Sequence, residues 1–232
     1  MVRANPVARA AAAKRRPPRA LAAYHRKRDL KKSGEPDGTA DRRAPATLAI
    51  FIVQKHDATR LHYDFRLEVD GVLKSWAVPK GLPDRIGDKS LAIEVEDHPL
   101  DYGGFEGTIP KGNYGAGTVM LWDRGVYAVE GDYDQAYRKG HIHVALAGEK
   151  LRGEWTLVRM RPRPGEKKTS WLVIKGHSSG KIPEVAISRT ARDRSVLSGR
   201  SMDEIAAGRR PVRPARGSKK KPRKRRPGPS RR

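Results

Sequence analysis

Between Leu48 and Gly176 the chain is a succession of short apolar runs, most of them alternating with polar residues and each closed by Gly, Asp, Lys or Pro. TLAIFIVQK (47–55) is rich in β-branched residues. After the small loop HDATR (56–60), LHYDFRLEVDGVLKSWAVPK (61–80) reads as two strands, with Asp70-Gly71 as the hairpin signal between them. SLAIEVEDH (90–98) alternates as a strand. GTVMLWD (117–123), VYAVEGD (126–132), GHIHVAL (140–146), GEWTLVRM (153–160) and SWLVIKG (170–176) are further strand candidates. This spacing predicts an all-β barrel or sandwich. Short helices are predicted only at DYDQAYRKG (132–140) and SMDEIAAG (201–208). Trp76, Trp122, Trp155 and Trp171 all fall inside strands and read as core residues.

The flanks have a different character. Residues 1–47 carry 13 Lys+Arg against 4 Asp+Glu, residues 189–232 carry 17 against 3, and residues 48–188 carry 20 against 19. Almost all of the formal net charge of +24 therefore lies outside the strand-rich middle. Residues 1–23 read as a disordered basic arm, 24–188 as the domain (a polar segment 24–47 and a core 48–188), and 189–232 as a basic, low-complexity tail. Basic arms on a near-neutral core suit a polyanion, because Lys and Arg gain affinity by displacing condensed counterions. Solubility alone would be the plainer reason for such arms. The chain has no cysteine, which excludes disulfides and thiolate chemistry, and no apolar run approaches the ~18 residues of a membrane helix.

The residues with chemistry concentrate in KHDATRLHYDFRLE (55–68). On a strand, Arg60, His62, Asp64 and Arg66 share one face, while Leu61, Tyr63, Phe65 and Leu67 share the apolar one. A charged face is ordinarily just a solvated face. His56, however, can fold back over His62, and two imidazoles with a carboxylate suit a divalent transition metal. Arg66 on the same face suits a bidentate phosphate contact. His98 and Tyr102 form a second polar cluster in a loop, although His-Pro is also a turn signal. His141 and His143 fit an ordinary strand face better than a ligand pair.

QKHDATRLHYDFRLEVDGVLKSWAVPKG (54–81) and VEDHPLDYGGFEGTIPKGNYGAGTVMLWDRG (95–125) closely resemble the 3′-phosphoesterase domain of bacterial DNA ligase D. The resemblance runs from about Tyr24 to about Lys175, and it extends to the stand-alone form of that domain. It implies a small antiparallel β-barrel that binds Mn²⁺. The activity it implies is removal of a 3′-terminal ribonucleoside and then of the 3′-phosphate, leaving a 3′-OH for end joining. On the matched positions, His56, His62 and Asp64 are implied as metal ligands and Arg66, His98 and Tyr102 as phosphate contacts. Arg28, Asp29 and Glu35 are implied as substrate-binding residues, and Lys80 joins the catalytic set. The implied partners are DNA ends bearing a 3′-ribonucleotide or 3′-phosphate, together with a ligase and an end-binding protein. A monomer in the cytoplasm, associated with the nucleoid, is the expected setting.

The sequence departs from the family at Ser90, where a basic residue is common, although Lys89 adjoins it. Two other readings stay open. One is an iron-dependent oxygenase using His62-X-Asp64 with His141 or His143. The other is a non-catalytic DNA-binding accessory with a structural metal.

Overall fold

The computed structural model describes residues 18–38, 48–177 and 188–211. Within these, the strands are β1 (Ile50–Asp57), β2 (Leu61–Val69), β3 (Val72–Val78), β4 (Lys89–Pro99), β5 (Gly107–Ile109), β6 (Gly117–Val129), β7 (His141–Gly148), β8 (Arg152–Arg159) and β9 (Ser170–Lys175). All pair antiparallel in the order β1-β2-β3-β4-β9-β8-β7-β6-β5. An added β1–β6 pairing closes eight of them into a barrel and leaves β5 as an appendage of β6. The barrel is the expected one, and closure removes the exposed edges that an open sheet would present. Asp70 and Gly71 have φ of 50° and 81°, the left-handed pair that a two-residue β2–β3 hairpin requires.

Alternation sorts the barrel wall into two faces. Phe51, Val53, Phe65, Leu67, Trp76, Val78, Trp155 and Trp171 belong to the main apolar cluster that fills the barrel. Trp122 joins them, so all four tryptophans are core residues as the pattern predicts. The opposite face of β1–β3 carries Gln54, His56, His62, Asp64, Arg66 and Ser75, matched across the strands as Gln54↔Asp64, His56↔His62 and Arg66↔Ser75. This face is not a solvated one. Arg66 is only 1% exposed, whereas Leu61, on the side read as apolar, is 47% exposed.

The N-terminal segment supplies the cover. A 3-10 turn (Pro18–Leu21) leads into α1 (Ala22–Lys27) and α2 (Leu30–Ser33), which ends at Gly34 with φ 70°. Tyr24 is fully buried in a second apolar cluster with Ile52, Leu73, Tyr102 and Leu121, and its hydroxyl donates to Pro36 O at 2.6 Å. Ordered structure therefore begins inside the stretch 1–23 that reads as a disordered arm. Residues 1–17 of that arm lie outside the described residues.

The C-terminal boundary moves as well. The helix α3 (Tyr133–Lys139) is where the sequence places it, capped by Asp132, whose side chain accepts from Gln135 N. The stretch 189–211, read as part of the tail, packs on the barrel as α4 (Arg189–Arg192) and α5 (Met202–Ala206), the second of these where the short helix at 201–208 is predicted. Ile205 enters the main apolar cluster, Trp122 Nε1 donates to Arg192 O, and Ser195, Ser198 and Arg200 all donate to the Glu106 carboxylate. Alternation cannot report such contacts, because they are made by turns and single side chains. Residues 212–232, the rest of the expected tail, lie outside the described residues. No described helix is long and apolar enough to cross a membrane.

Candidate active site

The covered face of the barrel opens into a cleft of about 430 Å³ lined by Arg28, Glu35, His56, His62, Asp64, Arg66, His98 and Tyr102, among others. At one end, one donor atom from each of His56, His62 and Asp64 lies within 4.8 Å of the others. His56 Nδ1 is 3.8 Å from Asp64 Oδ2, and His62 Nε2 is 3.7 Å from Asp64 Oδ1. The remaining ring nitrogens face backbone carbonyls: His56 Nε2 donates to Gly115 O at 3.0 Å and His62 Nδ1 to Arg60 O at 2.9 Å. Those bonds fix the tautomers so that a lone pair on each ring points toward Asp64, the arrangement that metal-ligating histidines usually have. Burial alone would raise the Asp64 carboxyl, but the charge of Arg66 outweighs it and holds the group well below the usual carboxylate range. The three donors thus fit a divalent cation, with small inward shifts needed to reach ligand distances of about 2.0–2.2 Å.

Arg66 occupies the floor of the cleft. Its Nε donates to Gln54 Oε1, Nη1 to Ser75 Oγ and Nη2 to Asp64 Oδ2, at 2.8, 2.8 and 2.9 Å. A guanidinium has five N–H donors, so one on each terminal nitrogen remains for an anion. The ring of Tyr102 lies 5.0 Å from the guanidinium carbon, and burial pushes its hydroxyl well above the ordinary phenol range. His98 stands edge-on to Tyr102 at 4.8 Å. Its Nδ1 donates to Glu96 O at 2.9 Å, and its Nε2 accepts from Arg28 Nη2 at 3.1 Å. Burial, reinforced by the charges of Arg66 and Arg28, holds His98 well below the usual imidazole range, so its ring is neutral.

Arg28 joins the roof to the floor. It pairs with Glu35 at 3.0 Å and with Glu96 at 2.8 Å, and its own side chain is only 5% exposed. Glu35 Oε1 is taken by this pair, while Glu35 Oε2 is buried with no hydrogen-bond partner among the described residues. An orphaned carboxylate oxygen on a cleft wall is costly unless a ligand hydroxyl or amine fills it.

The other sequence candidates fall elsewhere. Asp29 begins α2, half-exposed, and pairs with Lys32 at 3.2 Å; it does not line the cleft. Lys80 is exposed in the turn after β3, next to the cleft residue Pro79. Ser90 is buried, alternating with the core residue Ala92, while the exposed Lys89 shares a face of β4 with the cleft residues Ile93 and Val95. His141 and His143 do not join the triad, and His143 is held by Glu130 and Glu154 at 2.9 and 3.3 Å. Three participants escape the sequence reading: Gln54 and Ser75, which hold the Arg66 fork, and Glu96, which binds Arg28. Gln54 and Ser75 could have been found from register, since each lies across a strand pair from Asp64 or Arg66.

Comparison with known proteins points the same way. The DNA Ligase D 3′-phosphoesterase domain matches residues 54–159. The multifunctional non-homologous end joining protein LigD of Pseudomonas aeruginosa is 53% identical over 155 residues, covering 67% of this chain and 18% of that protein. The LigD repair protein of Mycobacterium tuberculosis is 50% identical over 141 residues, 60% of this chain and 18% of its own length. LigD of Mycolicibacterium smegmatis is 42% identical over 151 residues, 61% of this chain and 19% of its own. The chain spans about a fifth of the length of these relatives. Residues 54–159, with the cleft residues that lie within them, thus form a domain of the DNA ligase D 3′-phosphoesterase family.

Proposed function

We propose that the protein is a Mn²⁺-dependent phosphoesterase that heals DNA 3′ ends for joining. The observation that carries this reading is the convergence, in one cleft, of a His-His-Asp donor set with an arginine fork whose remaining N–H groups suit a phosphate. In the first step water attacks phosphorus and the bond to O5′ of the terminal ribonucleoside breaks, leaving a 3′-phosphate on the primer. In the second, water attacks that phosphate and the bond to O3′ breaks, giving a 3′-OH and inorganic phosphate. The relatives' names place them in non-homologous end joining, so a ligase and an end-binding protein are the partners we assign.

His56, His62 and Asp64 would hold the metal, which when bound polarises a phosphoryl oxygen and lowers the pKa of a bound water. Arg66 offsets the charge that grows on the equatorial oxygens. It needs no reorganisation to do so, because Gln54, Ser75 and Asp64 already fix its plane. His98 is neutral in the free cleft and its Nε2 is occupied by Arg28. An incoming phosphate brings negative charge that favours protonating this nitrogen, after which it donates to a phosphate oxygen. Tyr102, un-ionised, donates its hydroxyl to the same group. Glu35 Oε2 accepts from a substrate hydroxyl, which suits a ribose end. Lys80 and Asp29, at or beyond the rim, are assigned to the strand rather than to the reacting phosphate.

The test is a 5′-labelled primer–template ending in one ribonucleotide, incubated with and without Mn²⁺ beside His62→Ala. The expected result is metal-dependent shortening to a 3′-phosphate and then a 3′-OH, lost in the variant. No product under any divalent metal would instead support a DNA-binding accessory with a structural metal. Oxygen consumption with an oxoacid would support the oxygenase.

A further inference from the structure

Tyr114 lines the cleft and is 45% exposed, the only aromatic among the exposed large apolar side chains of the described residues. It belongs to neither apolar cluster, so packing does not account for it. The loop that carries it is nonetheless anchored at the reaction centre. The next residue, Gly115, accepts through its carbonyl the bond from His56 Nε2. Two cations hold the ring: Lys27 Nζ lies 5.1 Å and the Arg28 guanidinium carbon 5.0 Å from its centroid. Lys27 Nζ also donates to the Tyr114 hydroxyl at 3.4 Å. Arg28 in turn contacts His98 at 3.1 Å and Glu35 at 3.0 Å. An exposed ring and the orphaned Glu35 Oε2 thus flank one arginine beside the phosphate cradle.

We propose that Tyr114 is the platform on which the base of the 3′-terminal nucleoside stacks, with that nucleoside's sugar hydroxyl meeting Glu35. This inference rests on the phosphoesterase reading above and assigns the place of its first leaving group. A single ring beside the cradle has room for one base. Stacking also tolerates any base, since each has a π-face. The strand that continues from the scissile phosphate needs cations instead. Arg60 and Lys168, both exposed, line the same cleft and supply them.

The experiment measures steady-state cleavage of primers ending in a ribonucleotide or in an abasic ribose, using the full chain, Tyr114→Ala and Tyr114→Phe. Loss of one base stack predicts that Tyr114→Ala raises KM for the ribonucleotide end about tenfold to a hundredfold with a much smaller change in kcat, and that Tyr114→Phe restores it. On the abasic end, wild type and Tyr114→Ala should have KM values within about twofold, because there is no stack to lose. An equal loss on both ends, or a Phe variant no better than Ala, would overturn the platform and leave the phosphoesterase intact. Absence of product from wild type would remove both.

Discussion

The two faces of β1–β3 are made from alternate residues of the same strands, yet they are held together by different physics. The inner face packs Phe51, Val53, Phe65, Leu67 and Trp76 into a close apolar cluster, where stability grows with the area removed from water. The outer face buries Asp64 and Arg66, with His98 of β4 beside them, and their desolvation is offset by charge pairing and by hydrogen bonds to Gln54, Ser75 and the Glu96 carbonyl. Packing tolerates substitution of one hydrophobe for another, whereas a polar network depends on each partner. The inner face should therefore govern whether the chain folds and the outer face what it does.

The largest expected effect tests the first half of that contrast. Trp76 is fully buried among Phe65 and Trp171, with ring centroids 6.2 and 6.1 Å away. Trp76→Ala should lower the unfolding free energy by about 3–5 kcal/mol, measured by urea denaturation, while the folded fraction keeps most of its turnover. Next comes the outer face. Arg66→Ala should reduce kcat about a hundredfold to a thousandfold, the usual cost of losing a transition-state donor. If Arg66→Ala destabilised the metal-loaded protein as much as Trp76→Ala does and left kcat untouched, the division of labour would be wrong.

A smaller effect separates the faces by pH. His98 has its folded-state pKa depressed, by burial first and then by Arg66 and Arg28. Its contribution to stability is therefore complete above the unfolded-state value, about 6.5, and is lost as pH falls below it, because the unfolded chain takes up a proton that the folded one refuses. The slope from this one group can reach about 1.4 kcal/mol per pH unit between pH 6.5 and the depressed folded value. Denaturation of the metal-free protein at stepped pH should show it, and His98→Asn should flatten it. A slope unchanged in His98→Asn would mean that the ring is protonated in the folded cleft.

How far this contrast is legible in the sequence follows from what alternation can encode. The inner face is local: Phe65 and Leu67 two apart, the Asp70-Gly71 turn and four tryptophans in strand runs all announce a barrel or sandwich. His56, His62, Asp64 and Arg66 are local too, and the family resemblance ranks them. What no window contains is the cover. Arg28 meets His98 across 70 positions and Glu96 across 68, and Ser195 meets Glu106 across 89. Those contacts depend on strand register and chain reversal. For that reason the polar segment around Arg28 reads as part of the domain but not as its roof, and residues 189–211 read as a tail rather than as part of the domain.

The roof itself has a centre and a rim, and the smallest prediction lies there. Glu96 binds two neighbouring cations, Arg28 at 2.8 Å and Lys27 at 2.9 Å, whose side chains are 5% and 40% exposed. Coulomb attraction at equal distance would make the two pairs equivalent in one medium, but the media differ. Water screens the Lys27 pair and competes for its ammonium, so Lys27→Met should cost no more than about 1 kcal/mol and should do so only at low salt. Arg28→Met removes the buried partner from Glu35 and Glu96 together and should cost about 3–5 kcal/mol, with little salt dependence. Thermal unfolding of both variants at low and high salt provides the comparison. Equal losses would mean that water reaches Arg28 as it does Lys27, and that the polar face lacks the dry interior on which its preorganised arginine fork depends.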